Sequence, residues 1–250
     1  MNNRKHPLVF AHRGASGYAP ENTIVSFNKA MELGADGFEL DVQLTRDGEI
    51  VVIHDEWLER LTDGKGFVRD YTLEQLRQLN FNKNFPEYGI QRVRTLKEVF
   101  ELVRDTDIEI NVELKTGIFE YPGLVEKVLA LAEEMDMKDR VIYSSFNHYT
   151  CVKIRELLPD ARIGFLYGDV FIEVEQYVKD HGGDAIHPAF YLLQDPIHAI
   201  KAKKLGLEIN TWTVNEPAYM ELCCQLGVDR IITNYPDVAL GIVEKFKSSN

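Results

Sequence analysis

Gly37-Phe38-Glu39-Leu40-Asp41-Val42-Gln43 alternates strictly, with Phe38, Leu40 and Val42 on one face and Glu39, Asp41 and Gln43 on the other. Similar short runs recur outward from it in both directions. They are Leu8–Ala11, Gly37–Leu44 itself, Glu109–Leu114, Val141–Phe146, Arg162–Tyr167, Ala185–His187, Glu208–Val214 and Arg230–Thr233, and most precede a helical pattern. Eight such units in 250 residues predict an α/β chain folded as a (β/α)8 TIM barrel. An open doubly wound sheet is the alternative, and the lack of a glycine-rich dinucleotide fingerprint counts against it. In the barrel, the odd set faces the interior and the even set packs against outer helices.

Helical patterns cover Thr23–Leu33, Leu96–Arg104, Leu124–Glu134, Tyr149–Leu158, Phe171–His181, Pro196–Leu205, Pro217–Leu226 and Val238–Phe246. Leu33-Gly34, His181-Gly182, Leu205-Gly206 and Leu226-Gly227 read as left-handed C-terminal stops. One extended run, Glu49–His54, falls outside the alternation. Asp47-Gly48 before it signals a two-residue hairpin turn, which returns the chain antiparallel as an extra strand. With Arg46 facing Glu49, paired positions sum to 95 and His54 lands opposite Asp41. Residues 55–94 form a small insertion after the second strand. It holds a short helix, Leu73–Leu79, behind a capping box from Thr72 to Gln75, and a loop, Phe81–Tyr88, expected over the catalytic face. The whole of 1–250 reads as a single domain.

With 28 basic and 40 acidic residues the net charge is -12, which repels nucleic acid and anionic membranes. An anionic substrate must therefore be met by local positive charge. Cys151, Cys223 and Cys224 make a poor disulfide framework. No apolar run is long enough for a secretory leader or a bilayer span, so the expectation is a cytoplasmic protein without stable membrane insertion. Oligomeric state is left open.

Burying Glu39 and Asp41 without a partner costs several kcal/mol. Glu113 joins them from Asn111-Val112-Glu113-Leu114-Lys115, where Glu113 and Lys115 share a face. Three oxygen ligands suit one divalent cation, Mg²⁺ or Ca²⁺; a buried Glu–Lys network is the structural alternative. His12-Arg13-Gly14 ends the first strand, where the Arg13 fork matches phosphate oxygens. Pro20-Glu21-Asn22-Thr23 reads as a helix start, with Asn22 as cap. Two histidines at the acidic face, His12 and His54, suit a phosphodiester reaction, which takes a proton from the nucleophile and gives one to the leaving alkoxide. Trp212 fits either an apolar wall of the site or the core. His187 ends the sixth strand and is a further candidate to face the site, while His148 and His198, on or near helices, read as surface or packing residues. Ser144 and Ser145 lack a nucleophile elbow.

In chain order, His12-Arg13-Gly14 with Pro20-Glu21-Asn22-Thr23, Glu39-x-Asp41-Val42, Asp47-Gly48, His54-Asp55, Glu113-x-Lys115 and Trp212-Thr213-Val214-Asn215 resemble the glycerophosphodiester phosphodiesterase family. The resemblance implies a TIM barrel that hydrolyses glycerophosphodiesters to sn-glycerol 3-phosphate and an alcohol. It further implies a divalent cation at Glu39, Asp41 and Glu113, acid–base catalysis by His12 and His54, and phosphate contacts from Arg13 and Lys115. Asn234 departs from the family, whose members often carry Asp there. The rival activities are a lysophospholipase D or phospholipase-like phosphodiesterase acting on lipids, and a non-catalytic barrel that binds a phospho-ligand.

Overall fold

The computed structural model describes residues 6–249. Its strands are β1 (Leu8–His12), β2 (Gly37–Leu44), β3 (Ile50–Val52), β4 (Arg94–Thr95), β5 (Glu109–Leu114), β6 (Val141–Ser145), β7 (Arg162–Tyr167), β8 (Ala185–Pro188), β9 (Glu208–Thr211) and β10 (Arg230–Thr233). The helices are α1 (Ile24–Glu32), α2 (Leu73–Leu76), α3 (Leu96–Val103), α4 (Leu124–Glu134), α5 (His148–Leu157), α6 (Val174–Asp180), α7 (Ile197–Lys204), α8 (Pro217–Leu226) and α9 (Pro236–Ser249). All strands except β3 and β4 run parallel, and pairing of β1 with β2 closes the ring into the expected barrel.

Alternation on β2 works as anticipated. Phe38, Leu40 and Val42 enter the main core with residues of the outer helices, and Phe38 stacks on Phe27 of α1 at 4.6 Å between ring centroids. The four predicted glycine stops all have positive φ, from 61° to 84°. Inside the barrel, Phe10, Ile142 and Ile232 fill the middle. Below them, at the strand starts, buried Arg230 pairs with Glu109 at 3.0 Å and Glu208 at 2.6 Å. This ionic plug and the apolar layer above it leave the other end for polar chemistry.

The hairpin differs from expectation. Val42 pairs with Val52, Gln43 with Val51 and Leu44 with Ile50, so the register is one residue away from the one predicted. The loop has three residues, Arg46 to Gly48, because Thr45 pairs with Glu49 through its backbone N–H and Gly48 takes a φ of 83°. Ile53, not His54, therefore sits opposite Asp41, and its N–H donates to the Asp41 carbonyl at 3.0 Å. β3 also pairs with β4, a strand that the alternation gave no hint of. One face of β3, Ile50 and Val52, belongs to the barrel core. The other, Val51 with Ile53, joins Leu58, Val68, Leu76, Phe81 and Val93 in a separate core beneath the insertion. The largest shortenings are in two helices: α2 stops at Leu76, and α6 begins at Val174 rather than Phe171. Among the described residues no helix is long and apolar enough to cross a membrane.

Candidate active site

β2 organises the barrel mouth along one edge. Its Glu39 carbonyl accepts from the Arg13 N–H at 2.9 Å, and its Asp41 carbonyl accepts from the Ile53 N–H at 3.0 Å. His12 precedes the first donor and His54 follows the second, so both imidazoles arrive at the mouth. Along the other edge, Asp41 lies beside Glu113 of β5. Carboxylate oxygens of Glu39, Asp41 and Glu113 lie within 4.8 Å of one another, and all three residues are buried.

The route of His54 is not the one expected. The chain leaves the sheet after Val52 and curls, which brings His54 Nε2 to 3.2 Å from Lys115 Nζ, while Nδ1 lies 2.6 Å from Asp55. Lys115 also pairs with Glu113 at 3.1 Å. A single pocket takes in His12, Arg13, Glu39, His54 and Glu113 on its polar side, with Phe146, Leu166 and Trp212 as apolar lining. Roomier surface clefts, such as that formed by Glu59, Asp63, Lys65 and Lys83, hold no such combination.

The three acids cannot share this space as free anions. Burial pushes the Glu39 carboxyl well above its ordinary range and the neighbouring Asp41 pushes it further; burial and Asp41 raise Glu113 too. Burial also raises Asp41, but His54, Arg13 and Lys115 outweigh it and hold that carboxyl below its usual value. Asp41 Oδ1 is buried without a hydrogen-bond partner. An all-oxygen set with an orphaned carboxylate atom and two acids driven toward protonation fits a hard divalent cation, which Glu39, Asp41 and Glu113 would hold.

His12 is lowered to about 3 by burial, with Arg13 adding to the effect, so its ring is neutral. Its Nδ1 lies 2.7 Å from Asn234 Oδ1, an acceptor, which places the ring proton there and leaves the Nε2 lone pair free. Asn234, marked in the sequence only as a departure from the family's frequent Asp, is thus the partner of His12.

Charges alternate around the polar side. Arg13 lies between Asp41 at 3.4 Å and Glu21 at 2.7 Å; Glu21 also binds Arg60 at 2.7 Å; and Arg60 pairs with Asp55, the partner of His54. Glu21 is therefore more than a helix start. Nor is Asn22 the cap. Thr23 caps α1 in a reciprocal box with Ser26, while Asn22 adopts a φ of 56° and turns inward to donate to Asp41 at 2.9 Å. The Thr23–Ser26 pair was the sequence signal for this. Trp212 meets both of its readings, donating to the His187 carbonyl at 2.9 Å while lining the pocket. His187 is fully buried against Asn210 at 2.8 Å and does not line the pocket. From the insertion, Asp55 and Arg60 reach the site's polar residues; Phe81–Tyr88 lines none of the pocket.

Residues 12–238 match the sequence profile of the glycerophosphoryl diester phosphodiesterase family. The chain belongs to this family. It is a phosphodiesterase on a TIM barrel. A glycerophosphodiester phosphodiesterase of Caldanaerobacter subterraneus subsp. tengcongensis is 45% identical over 95% of this chain and 98% of its own. One from Bacillus altitudinis is 40% identical over 96% and 99%. Among solved structures, a glycerophosphodiester phosphodiesterase from Agrobacterium tumefaciens superposes with a TM-score of 0.82 at 27% identity, covering 94% of this chain and 99% of that one. A phosphodiesterase from Oleispira antarctica, solved in complex with the product sn-glycerol-3-phosphate, gives 0.85 at 28% identity, covering 96% and 97%.

Proposed function

We propose that the chain hydrolyses glycerophosphodiesters such as glycerophosphocholine or glycerophosphoethanolamine to sn-glycerol 3-phosphate and an alcohol. His12 and His54 transfer the protons, and Glu39, Asp41 and Glu113 hold one divalent cation, Mg²⁺ or Ca²⁺. The observation that carries this reading is the meeting of two imidazoles with the acid cluster in one pocket. When bound, the cation supplies positive charge to the phosphate oxygens. Arg13 and Lys115 add to it, Arg13 through a planar fork and Lys115 as a point charge beside His54. Each ring is oriented through Nδ1, by Asn234 in one case and Asp55 in the other, so Nε2 is the exchanging atom; that of His54 lies 3.2 Å from Lys115 Nζ and is released as the ammonium turns to the phosphate. Neutral His12 is suited to take the nucleophile's proton, and His54 then serves the leaving alkoxide. Phe146, Leu166 and Trp212 shield the opposite side of the substrate from water.

The test is glycerol 3-phosphate release from both diesters, with Mg²⁺, with Ca²⁺ and with excess chelator. Release should require divalent cation, and His12→Ala and His54→Ala should each lower kcat by about 100-fold or more. Full activity in chelator overturns the cation assignment; near-wild-type turnover in both variants overturns the histidine pair.

A further inference from the structure

Gln43 takes no part in the chemistry just described, yet it is fully buried one turn of the pleat above Asp41. Its Nε2 lies 3.1 Å from the carbonyl oxygens of Ile53 and of His54 and 2.9 Å from that of Asp55. Its Oε1 accepts from the Tyr121 hydroxyl at 2.8 Å, and Tyr121 is itself buried in the loop that follows Lys115. Three successive carbonyls converging on one nitrogen is the opposite of a strand, where they point alternately to either side. The curl they describe is the departure that turns His54 out of the sheet toward Lys115. In plain continuation of β3, His54 would share a face with Ile50 and Val52, which lies in the barrel's outer core. The position calls for an amide. A carboxylate offers no donor to the carbonyls, and an apolar side chain leaves both them and the phenol without a partner.

We propose that Gln43, anchored by Tyr121, is the positioning residue for His54. It gathers the carbonyls of residues 53–55 and so fixes where the imidazole and its Asp55 partner stand relative to Lys115. This rests on the phosphodiesterase reading for its kinetic consequence but not for its structural one.

Two variants test it in the cation-loaded protein: Gln43→Leu, and Tyr121→Phe, which removes the anchor alone. With glycerophosphocholine, Gln43→Leu should lower kcat between about 10- and 100-fold with KM little changed, because misplacement affects the proton-transfer group and not the phosphate-binding charges. Tyr121→Phe should give a smaller loss of the same kind. Either change combined with His54→Ala should be no slower than His54→Ala alone, since both act through one group. Ring-nitrogen NMR signals of His54, identified by their loss in His54→Ala, should move in both variants. Undiminished kcat, or double variants slower by the product of the single effects, overturns the proposal. If Gln43→Leu does not fold, Tyr121→Phe decides by the same measures. Should the wild-type protein hydrolyse no diester, the functional reading falls, and unmoved His54 signals then overturn the positioning role separately.

Discussion

His12 and His187 are both neutral rings, one part-buried and lining the pocket, the other enclosed in the barrel against Asn210. Burial lowers each from 6.5 to about 3, with Arg13 and Arg230 respectively adding to it. Between those two values the unfolded chain binds a proton that the folded chain refuses, so stability falls as pH is lowered through that window. His187→Asn, which keeps a polar group against Asn210, should make the fall shallower. Urea unfolding across the window measures it, and parallel curves for the two proteins would show that His187 contributes nothing. Glu39 and Glu113 have the opposite sign: their raised carboxyls keep protons to higher pH in the folded protein than in the unfolded chain, and a cation bound there would expel them. Titration calorimetry at mildly acidic pH, in two buffers of different ionisation enthalpy, should reveal proton release as Mg²⁺ or Ca²⁺ binds. Binding with no release would move the cation away from these acids.

Among the elements, the β2–β3 hairpin carries the clearest test of local chemistry. Gly48 has a φ of 83°, and a Cβ there would meet only the Lys127 ammonium, the far end of a flexible side chain, at 2.8 Å. The backbone conformation dominates, so Gly48→Ala should lose about 1 kcal/mol of stability by urea unfolding; an unchanged midpoint would mean that the loop does not need the left-handed residue. The same hairpin marks where the sequence stopped being readable. Period-two alternation is local, so the inward set of β2 and the eight barrel strands could be read directly. Asp47-Gly48, however, suits both a two-residue loop and the close of a three-residue one, and the choice rests on how Thr45 pairs with Glu49. A one-residue slip exchanges faces. His54 nonetheless reached the acids, because β3 ends at Val52 and the curl replaces the register as its cause. Arg60 and Glu21 are 39 residues apart, and Asn234 is 222 from His12. No local pattern announces partners that only the closed barrel brings together.

Across the whole molecule, stability and chemistry occupy opposite ends. Arg230→Met would leave Glu208 without its buried partner, while Arg162 still holds Glu109 at 3.1 Å. A loss of about 3 kcal/mol in urea unfolding is expected, with cation affinity unchanged, because the plug lies at the strand starts. Stability equal to that of the wild type would show the plug to be replaceable by plain packing. At the mouth, the two histidine-bearing segments dock on carbonyls two residues apart along a single edge of β2, a separation of roughly 6.6 Å. That strand acts as a gauge. Lengthening or reshaping residues 61–94, beyond the Asp55 and Arg60 that hold His54, or the loops that meet a head group, leaves the interval untouched. One residue added between Glu39 and Asp41 resets it and sends the two acids to opposite faces, so drift in substrate preference and constancy of proton transfer are written into different parts of the chain.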